Sequence, residues 1–406
     1  MQTLWLLLNI ALGYVAGVAL VYSLTGNVRH IRRYQALALV AALAALVIAF
    51  SALHGWLRLA GLMLIPATFV VGYLLRTRAF LRSEDTRDLP PLTRGANAAG
   101  KGFTAVIYLA HGEPEHYDPT GLINAYREAD AAGLPAGPVW ARPFALAQLR
   151  KQYLDGKRSD QRNIHRRTLK KLENAEAAAG APPRRYYLAF LDDEPRPEAA
   201  AIQALNDGAD AIILLEVYTV DTPHSAGGRR RITETVAAME SAPPLYCTGP
   251  LADSSALQQL HAARVAAQTA EDERAEAGVL LVAFARAPIW RERFAEAAAA
   301  EERFLNGAQA ALEAAGFPRV RQARLQGEPP PINMAEELVE AGAQKVFYAI
   351  ATESADSDLT QRALPQALSR AMVPDTVSLV NMGGWNDDPN LVQALQDALA
   401  RIEERT

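Results

Sequence analysis

Two histidines of this chain stand where side chains do chemistry. His111 closes the apolar run in Val106-Ile-Tyr-Leu-Ala-His111-Gly-Glu-Pro114, which reads as a buried parallel strand breaking into a tight loop. His224 follows a second apolar run, Ala211–Tyr218, in Asp221-Thr-Pro-His224-Ser225. Open α/β sheets bind ligands at the carboxyl edge of their strands. A neutral imidazole there can ligate a divalent metal and accept protons. The only cysteine is Cys247, so no thiolate cluster is available and metal chemistry must use His, Asp, Glu or Tyr. His111, His224 and Glu113 are the candidate metal ligands, with His116 and Glu216 as further ligands or proton acceptors. His116 and His165 also fit a solvated surface.

Gly227-Gly-Arg229-Arg230-Arg231 follows His224 and reads as the opening of a helix. Unpaired backbone N–H groups and guanidiniums suit carboxylate anions, with Tyr218 and Ser225 close by in sequence. A basic patch beside anionic lipid is the other reading of these arginines.

The elements that must position these residues are legible. From Thr104 onward, β-type runs alternate with Ala- and Glu-rich helical stretches, which predicts parallel sheets with helices on both faces. Strands are expected at Thr104–Ala110, Arg185–Leu191, Ala211–Tyr218, Val279–Phe284, Arg319–Arg324, Lys345–Ala351 and Thr376–Asn381. Helices are expected at Thr120–Ala132, Asp160–Ala179, Glu198–Asn206, Arg229–Glu240, Ser254–Ala275, Ala297–Ala315, Ile332–Ala341, Leu359–Ala371 and Asn390–Glu403. The helix over 160–179 carries Arg162, Arg166, Arg167, Lys170 and Lys171 as a solvated face. Asn206-Asp-Gly-Ala-Asp-Ala-Ile-Ile-Leu-Leu resembles Val339-Glu-Ala-Gly-Ala-Gln-Lys-Val-Phe-Tyr, so the chain repeats itself weakly. Two doubly wound halves facing a cleft are expected, over 103–245 and 246–406.

The first 76 residues are different. Three apolar runs, Thr3–Leu24, Ala36–Leu53 and Trp56–Leu75, each approach the roughly 20 residues a helix needs to cross a bilayer. Residues 1–78 are therefore expected to form a three-helix transmembrane anchor, and 79–102 a polar linker. Arg29, Arg32 and Arg33 follow the first run, and Arg76, Arg78 and Arg82 follow the third. Basic residues stay cytoplasmic, which predicts an inner-membrane protein with its large C-terminal part in the cytoplasm. The formal net charge of −4 over 406 residues gives no reason to expect a nucleic-acid partner.

The α/β part resembles the ferrochelatase superfamily, whose members insert a divalent metal into a tetrapyrrole. Ala125-Tyr-Arg-Glu-Ala is similar to that family's Tyr-Leu-Arg-Glu-Phe helix, and Gly156-Lys-Arg-Ser159 partly matches its Gly-Gly-x-Ser-Pro segment. Ala211-Ile-Ile-Leu-Leu-Glu-Val-Tyr-Thr looks like its strand ending in Pro-x-Tyr-Ser. Glu336-Glu-Leu-Val-Glu-Ala-Gly-Ala-Gln-Lys-Val is similar to the helix and strand before its catalytic carboxylate. Asn386-Asp-Asp-Pro-Asn-Leu-Val-Gln-Ala-Leu resembles its terminal segment.

Two departures shape the expectations. The family's Ser-Ala-His-Gly-Leu-Pro loop corresponds to Val282-Ala-Phe-Ala-Arg-Ala-Pro288, with Phe284 and Ala285 where the histidine would stand, and no histidine follows His261. The family's glutamate aligns with Asp358. The pair His111 and His224 instead resembles the small chelatases acting on sirohydrochlorin. The resemblance implies a membrane-anchored chelatase with His111, His224 and Asp358 catalytic. Its substrates would be Fe²⁺ or Co²⁺ and a tetrapyrrole, held through Arg229, Arg230, Tyr218 and Ser225. A protein that kept the fold, lost catalysis and binds haem or another tetrapyrrole is the alternative. Beyond the lipid bilayer, the sequence leaves open a membrane-protein partner or a homo-oligomer.

Overall fold

Three long apolar helices come first: α1 (Gln2–Thr25), α2 (Ile31–Ser51) and α3 (Trp56–Arg82). Each is long and apolar enough, by length and composition, to cross a membrane. Their outward faces carry Leu39, Val40, Val47, Met63 and Val70. α1 and α3 approach closely through small residues, as apolar helices do where no water drives them together. A Cβ on Gly17 would collide with the backbone of Phe69, and one on Gly72 with the backbone of Tyr14. The buried Asn9 amide donates to the Ala45 carbonyl at 3.1 Å and so ties α1 to α2. The computed structural model describes residues 1–26, 30–82, 89–93, 101–155 and 159–405. Arg29, most of the expected linker, and Gly156, Lys157 and Arg158 of the Gly156–Ser159 motif lie outside them.

The chain forms two compact units, Met1–Asp88 with His116–Lys157, and Leu89–Glu115 with Arg158–Thr406. This shifts a boundary expected from the sequence. After β1 (Thr104–Ala110), the segment carrying α4 (Thr120–Ala131) and α5 (Arg142–Leu154) belongs with the apolar helices rather than with the first α/β half. The bonds that hold it are specific. Arg127 donates to the Leu81 carbonyl at 2.8 Å. Arg150 donates to the Gly26 carbonyl at 2.8 Å, and the Tyr117 hydroxyl to the Thr25 carbonyl at 3.3 Å. Those carbonyls stand at helix C-terminal ends, where the last backbone acceptors lack intrahelical partners. Leu81, Ile123 and Leu146 bury together beneath them.

The second unit holds both sheets. α6 (Gln161–Ala178), β2 (Arg184–Phe190), α7 (Pro197–Asp207), β3 (Ala211–Val217), α8 (Pro223–Ala237) and β4 (Leu245–Cys247) complete the first half around β1. α9 (Ser255–Ala266) leads into the second. There β5 (Ala277–Phe284), α10 (Pro288–Arg293), α11 (Ala295–Ala314), β6 (Arg319–Leu325), α12 (Pro331–Glu340), β7 (Lys345–Ile350), α13 (Leu364–Leu368), β8 (Ser378–Asn381) and α14 (Pro389–Glu403) follow. The strand orders are β2-β1-β3-β4 and β6-β5-β7-β8, and all pairings are parallel. The weak repeat in the sequence thus corresponds to one topology used twice. In each sheet the winding reverses beside the central strand, between β1 and β3 and between β5 and β7, which is where such sheets open a crevice.

Both faces of the central strands are covered. Six of the seven β1 residues are buried, Ala105 to Ala110, as parallel strands sandwiched by helices must be. One apolar core runs through both halves. It joins Val106 and Tyr108 of β1 to Leu281 of β5, Phe304 of α11 and Leu395 of α14. α14 also clasps the first half from outside, where Arg184 pairs with Glu403. Just before α14, Lys171 pairs with Asp387 at 2.8 Å.

Candidate functional site

The register of the first sheet builds the site. Ala110 lies beside Val217 in parallel pairing, so His111 and Tyr218 leave their strands together, with ring centroids 6.2 Å apart. His224 returns to the same edge in the first turn of α8, its ring centroid 6.1 Å from that of His111. Asp192, two residues past the end of β2, joins them. Its Oδ1 lies 2.7 Å from His224 Nε2 and its Oδ2 3.5 Å from His111 Nδ1. The His-Gly step is steric. A Cβ on Gly112 would lie 2.7 Å from Phe190 Cβ and 2.9 Å from Asp193 Cβ, so only glycine lets the loop pass.

A cavity of about 440 Å³ opens in front of these residues, and the second half supplies its far wall through Phe284, Arg286, Glu301, Thr352 and Glu353. Arg286 stands two residues beyond β5, and Glu353 three beyond β7, at the second reversal point. The Arg286 guanidinium donates to Glu301 Oε1 at 3.1 Å and lies 4.8 Å from the Trp290 ring centroid. A volume of this order is ordinary for a small-molecule site.

The electrostatics are uneven across the cavity. Burial by itself would raise the Asp192 carboxyl, but His224 and His111 reverse that and hold it well below the usual carboxylate range. Burial pushes the Glu353 carboxyl up to about 7, with Glu113 and Asp192 adding to the rise and His111 and Arg286 opposing it. Two carboxyls facing one cavity are therefore driven apart, one fixed as an anion and one poised near neutrality. Such separation is characteristic of sites that move protons.

The structure brings some expected residues to the cavity and leaves others away. His111, Glu113, Tyr218 and His224 line it. The Glu113 carboxylate also accepts the Asp358 N–H at 3.1 Å, linking the two halves at the rim. Asp358 itself does not line the cavity; its carboxylate is held by Arg362 at 2.8 Å. Glu353, five residues earlier, faces inward in its place. Glu216 is fully buried and held by Arg229, at 2.9 Å, and by the Tyr218 hydroxyl, so it is no outer ligand. His116 is exposed and belongs to the other compact unit.

The helix start expected near Arg229 lies elsewhere. α8 begins at Pro223, six residues earlier than the sequence reading placed it, through a capping box in which Thr222 and Ser225 exchange bonds. Gly227, Gly228 and Arg229 thus lie inside the helix, and its free N–H groups are elsewhere. Ser225 is buried in the cap. Arg229 clamps Glu216 and Asp221, and Arg230 is exposed beside Glu234 at 3.7 Å.

His165 also departs from expectation. It is fully buried, bonded through Nδ1 to the Tyr108 hydroxyl at 3.0 Å, and burial lowers its pKa to about 3. The basic face of α6 is solvated, but its opposite face, with Ile164, His165, Thr168, Leu169 and Leu172, is core.

Asp192, Glu353, Arg286 and Glu301 escaped the sequence reading. Each lies just beyond a strand end or on a covering helix, and only the shared edge assembles them. Among the described residues, no group of three or more His, Cys, Asp or Glu is arranged so that it could hold a metal ion.

No family model matches the chain, and no curated protein matches it. Solved structures do. The cobalt complex of the sirohydrochlorin chelatase SirB from Bacillus subtilis subspecies spizizenii is 13% identical, with 74% of this chain and 96% of that one covered, at a TM-score of 0.43. SirB from Bacillus subtilis with Fe³⁺ is 14% identical, covering 74% and 95%, at 0.44. A multi-domain protein from Deinococcus radiodurans, described as structurally similar to chelatases with two additional novel domains, is 14% identical, covering 74% and 55%, at 0.44. At this level of similarity, the chain's own geometry rather than its neighbours' names bears on function.

Proposed function

We propose that the protein is a membrane-anchored chelatase that inserts a divalent metal, Fe²⁺ or Co²⁺, into a tetrapyrrole. One observation carries the reading. At a single sheet-reversal point His111, Asp192 and His224 form a linked trio, and Glu353, with its carboxyl near 7, faces the same cavity. Metal insertion displaces two pyrrole protons, M²⁺ + H₂P → MP + 2H⁺. It needs a weak metal-holding group and bases that titrate near neutrality. The His111 imidazole supplies a nitrogen donor to the incoming metal, and His224, with its Nε2 on Asp192, completes the trio behind it. Asp192, kept anionic, fixes both rings. Glu353 and an imidazole take the two protons. The arginines at the C-terminal end of α3, Arg76, Arg78 and Arg82, support a cytoplasmic position for the α/β part.

The test is incubation of the purified protein with free-base tetrapyrroles of differing carboxylate number and with Fe²⁺, Co²⁺ or Zn²⁺, followed by visible absorption. Insertion that is lost in His111→Ala supports the proposal; full activity in that variant overturns the mechanism. Phe284 and Ala285, standing where a second-half imidazole would be, favour a second reading, a tetrapyrrole-binding protein without insertion activity. Tight binding of finished haem, with no insertion for any pair, would establish that reading instead.

A further inference from the structure

We infer that the short 3-10 turn Val139–Ala141 and the first turn of α5 form an interfacial membrane element, with Trp140 and Phe144 seated among the lipid headgroups and upper acyl chains beside α3. The inference rests on the proposed membrane anchoring but not on the chelatase chemistry.

The argument begins with depth. Tyr73 lies 17 residues along α3 from Trp56, about 25 Å at 1.5 Å per residue, against a hydrocarbon core of about 30 Å. Trp56 and Tyr73 thus bracket most of one hydrocarbon thickness, with Arg76 marking the polar side beyond Tyr73. Tyr and Trp concentrate at such boundaries because one end of each ring system is apolar and the other polar.

The inserted segment is bonded to α3 at that depth. The Tyr73 hydroxyl donates to the Trp140 carbonyl at 2.6 Å, and the Tyr73 and Phe144 ring centroids are 6.3 Å apart. The same unit carries more of the belt. Tyr22 and Tyr34 stack at 5.0 Å, and the Arg76 guanidinium covers the Tyr22 ring at 4.2 Å. Trp140 is nonetheless 56% exposed and Phe144 48% exposed. The cation between them is turned away, since Arg142 is 5% exposed and paired with Asp130 at 2.6 Å. Two large aromatics, level with an interfacial tyrosine and with their neighbouring charge stowed, fit lipid rather than water. Lipid is also the one partner that the adjoining apolar helices already require.

The test uses the full chain in phosphatidylcholine nanodiscs, with bromines placed either near the headgroup or deep in the acyl chains. Tryptophan emission of the protein is compared with that of Trp140→Phe, and the difference reports Trp140 alone. Phe144→Trp, which adds a reporter one turn along, is measured in parallel. The expected result is loss of most of the Trp140 emission with shallow bromines, less with deep ones, and little with aqueous iodide. Emission untouched by bromolipid and quenched by iodide, at both positions, would overturn the inference while leaving the anchor intact. Failure of the chain to enter nanodiscs would overturn the anchoring itself, and the inference with it.

Discussion

Replacing Glu353 by glutamine separates what the site does from what it costs the fold. The carboxyl is pushed from its ordinary 4.5 up to about 7, chiefly by burial. Between those values the folded chain keeps a proton that the unfolded chain has released. The unfolded state binds fewer protons there, so stability falls as pH rises from about 4.5 to about 7 and stays reduced above. At 1.36 kcal/mol per pH unit the loss at pH 8 is about 3 kcal/mol at most. Glutamine carries no such penalty. Glu353→Gln should therefore melt higher than the parent at pH 8 and equally at pH 4.5. The catalytic arm runs the other way. A proton acceptor must be ionised, so the parent's insertion rate should rise about tenfold from pH 6 to pH 8 for a midpoint near 7. The variant should lose this rise and fall about 100-fold or more in rate. Insertion is followed by absorbance and stability by thermal melting in the same detergent. A variant that inserts metal with an unchanged pH profile refutes the assignment of Glu353 as acceptor. One that melts no higher at pH 8 refutes the burial argument.

Four other outcomes follow from the geometry. Asp192→Asn should lower insertion by about 10- to 100-fold, because both imidazoles lose the carboxylate that orients them; equal rates in kinetic comparison would disprove that role. Arg286→Gln should move the pH midpoint of insertion upward, since the guanidinium favours the Glu353 anion, and a full pH profile will show it. His165, lowered to about 3 by burial, binds protons more readily unfolded than folded, so its share of stability is lost as pH falls below about 6.5. His165→Gln should therefore melt with a shallower dependence between pH 7 and pH 4. Removal of residues 1–88 should leave α4 and α5 without the carbonyls of Gly26, Thr25 and Leu81, giving a chain whose 116–157 segment is cut rapidly by protease while the two sheets resist.

The sheets were legible because their strands are short, apolar and punctuated. β1 at Thr104–Ala110 agrees with expectation to the residue, and the turn patterns around Gly208 and Gly342 marked where β3 and β7 begin. The pairing of His111 with His224 was legible for the same reason, since each follows a strand of one sheet. What escaped was set by context. β4 has only three residues, Leu245–Cys247, and three residues carry no period. α5 was missed because its apolar residues face two partners, the core through Leu146 and the exterior through Phe144, and no single stripe results. The start of α8 was legible in Thr222-Pro223-His224-Ser225, a capping pattern that the Gly-Gly-Arg that follows obscured. Asp192 and Glu353 follow no motif. Their roles come from desolvation and neighbours, which no local pattern encodes.

The division of the chain also bears on how it is made. β1 is synthesised between two stretches that belong to the other compact unit, with α1 to α3 before it and α4 and α5 after it. Vectorial synthesis therefore delivers the histidine-bearing strand before either neighbour, β2 or β3, exists. An unpaired parallel strand is slow to find its partners and prone to aggregate. The second unit is thus begun by β1, interrupted by the whole of α4 and α5, and resumed only at α6, so its central strand is the one farthest in sequence from the rest of its sheet.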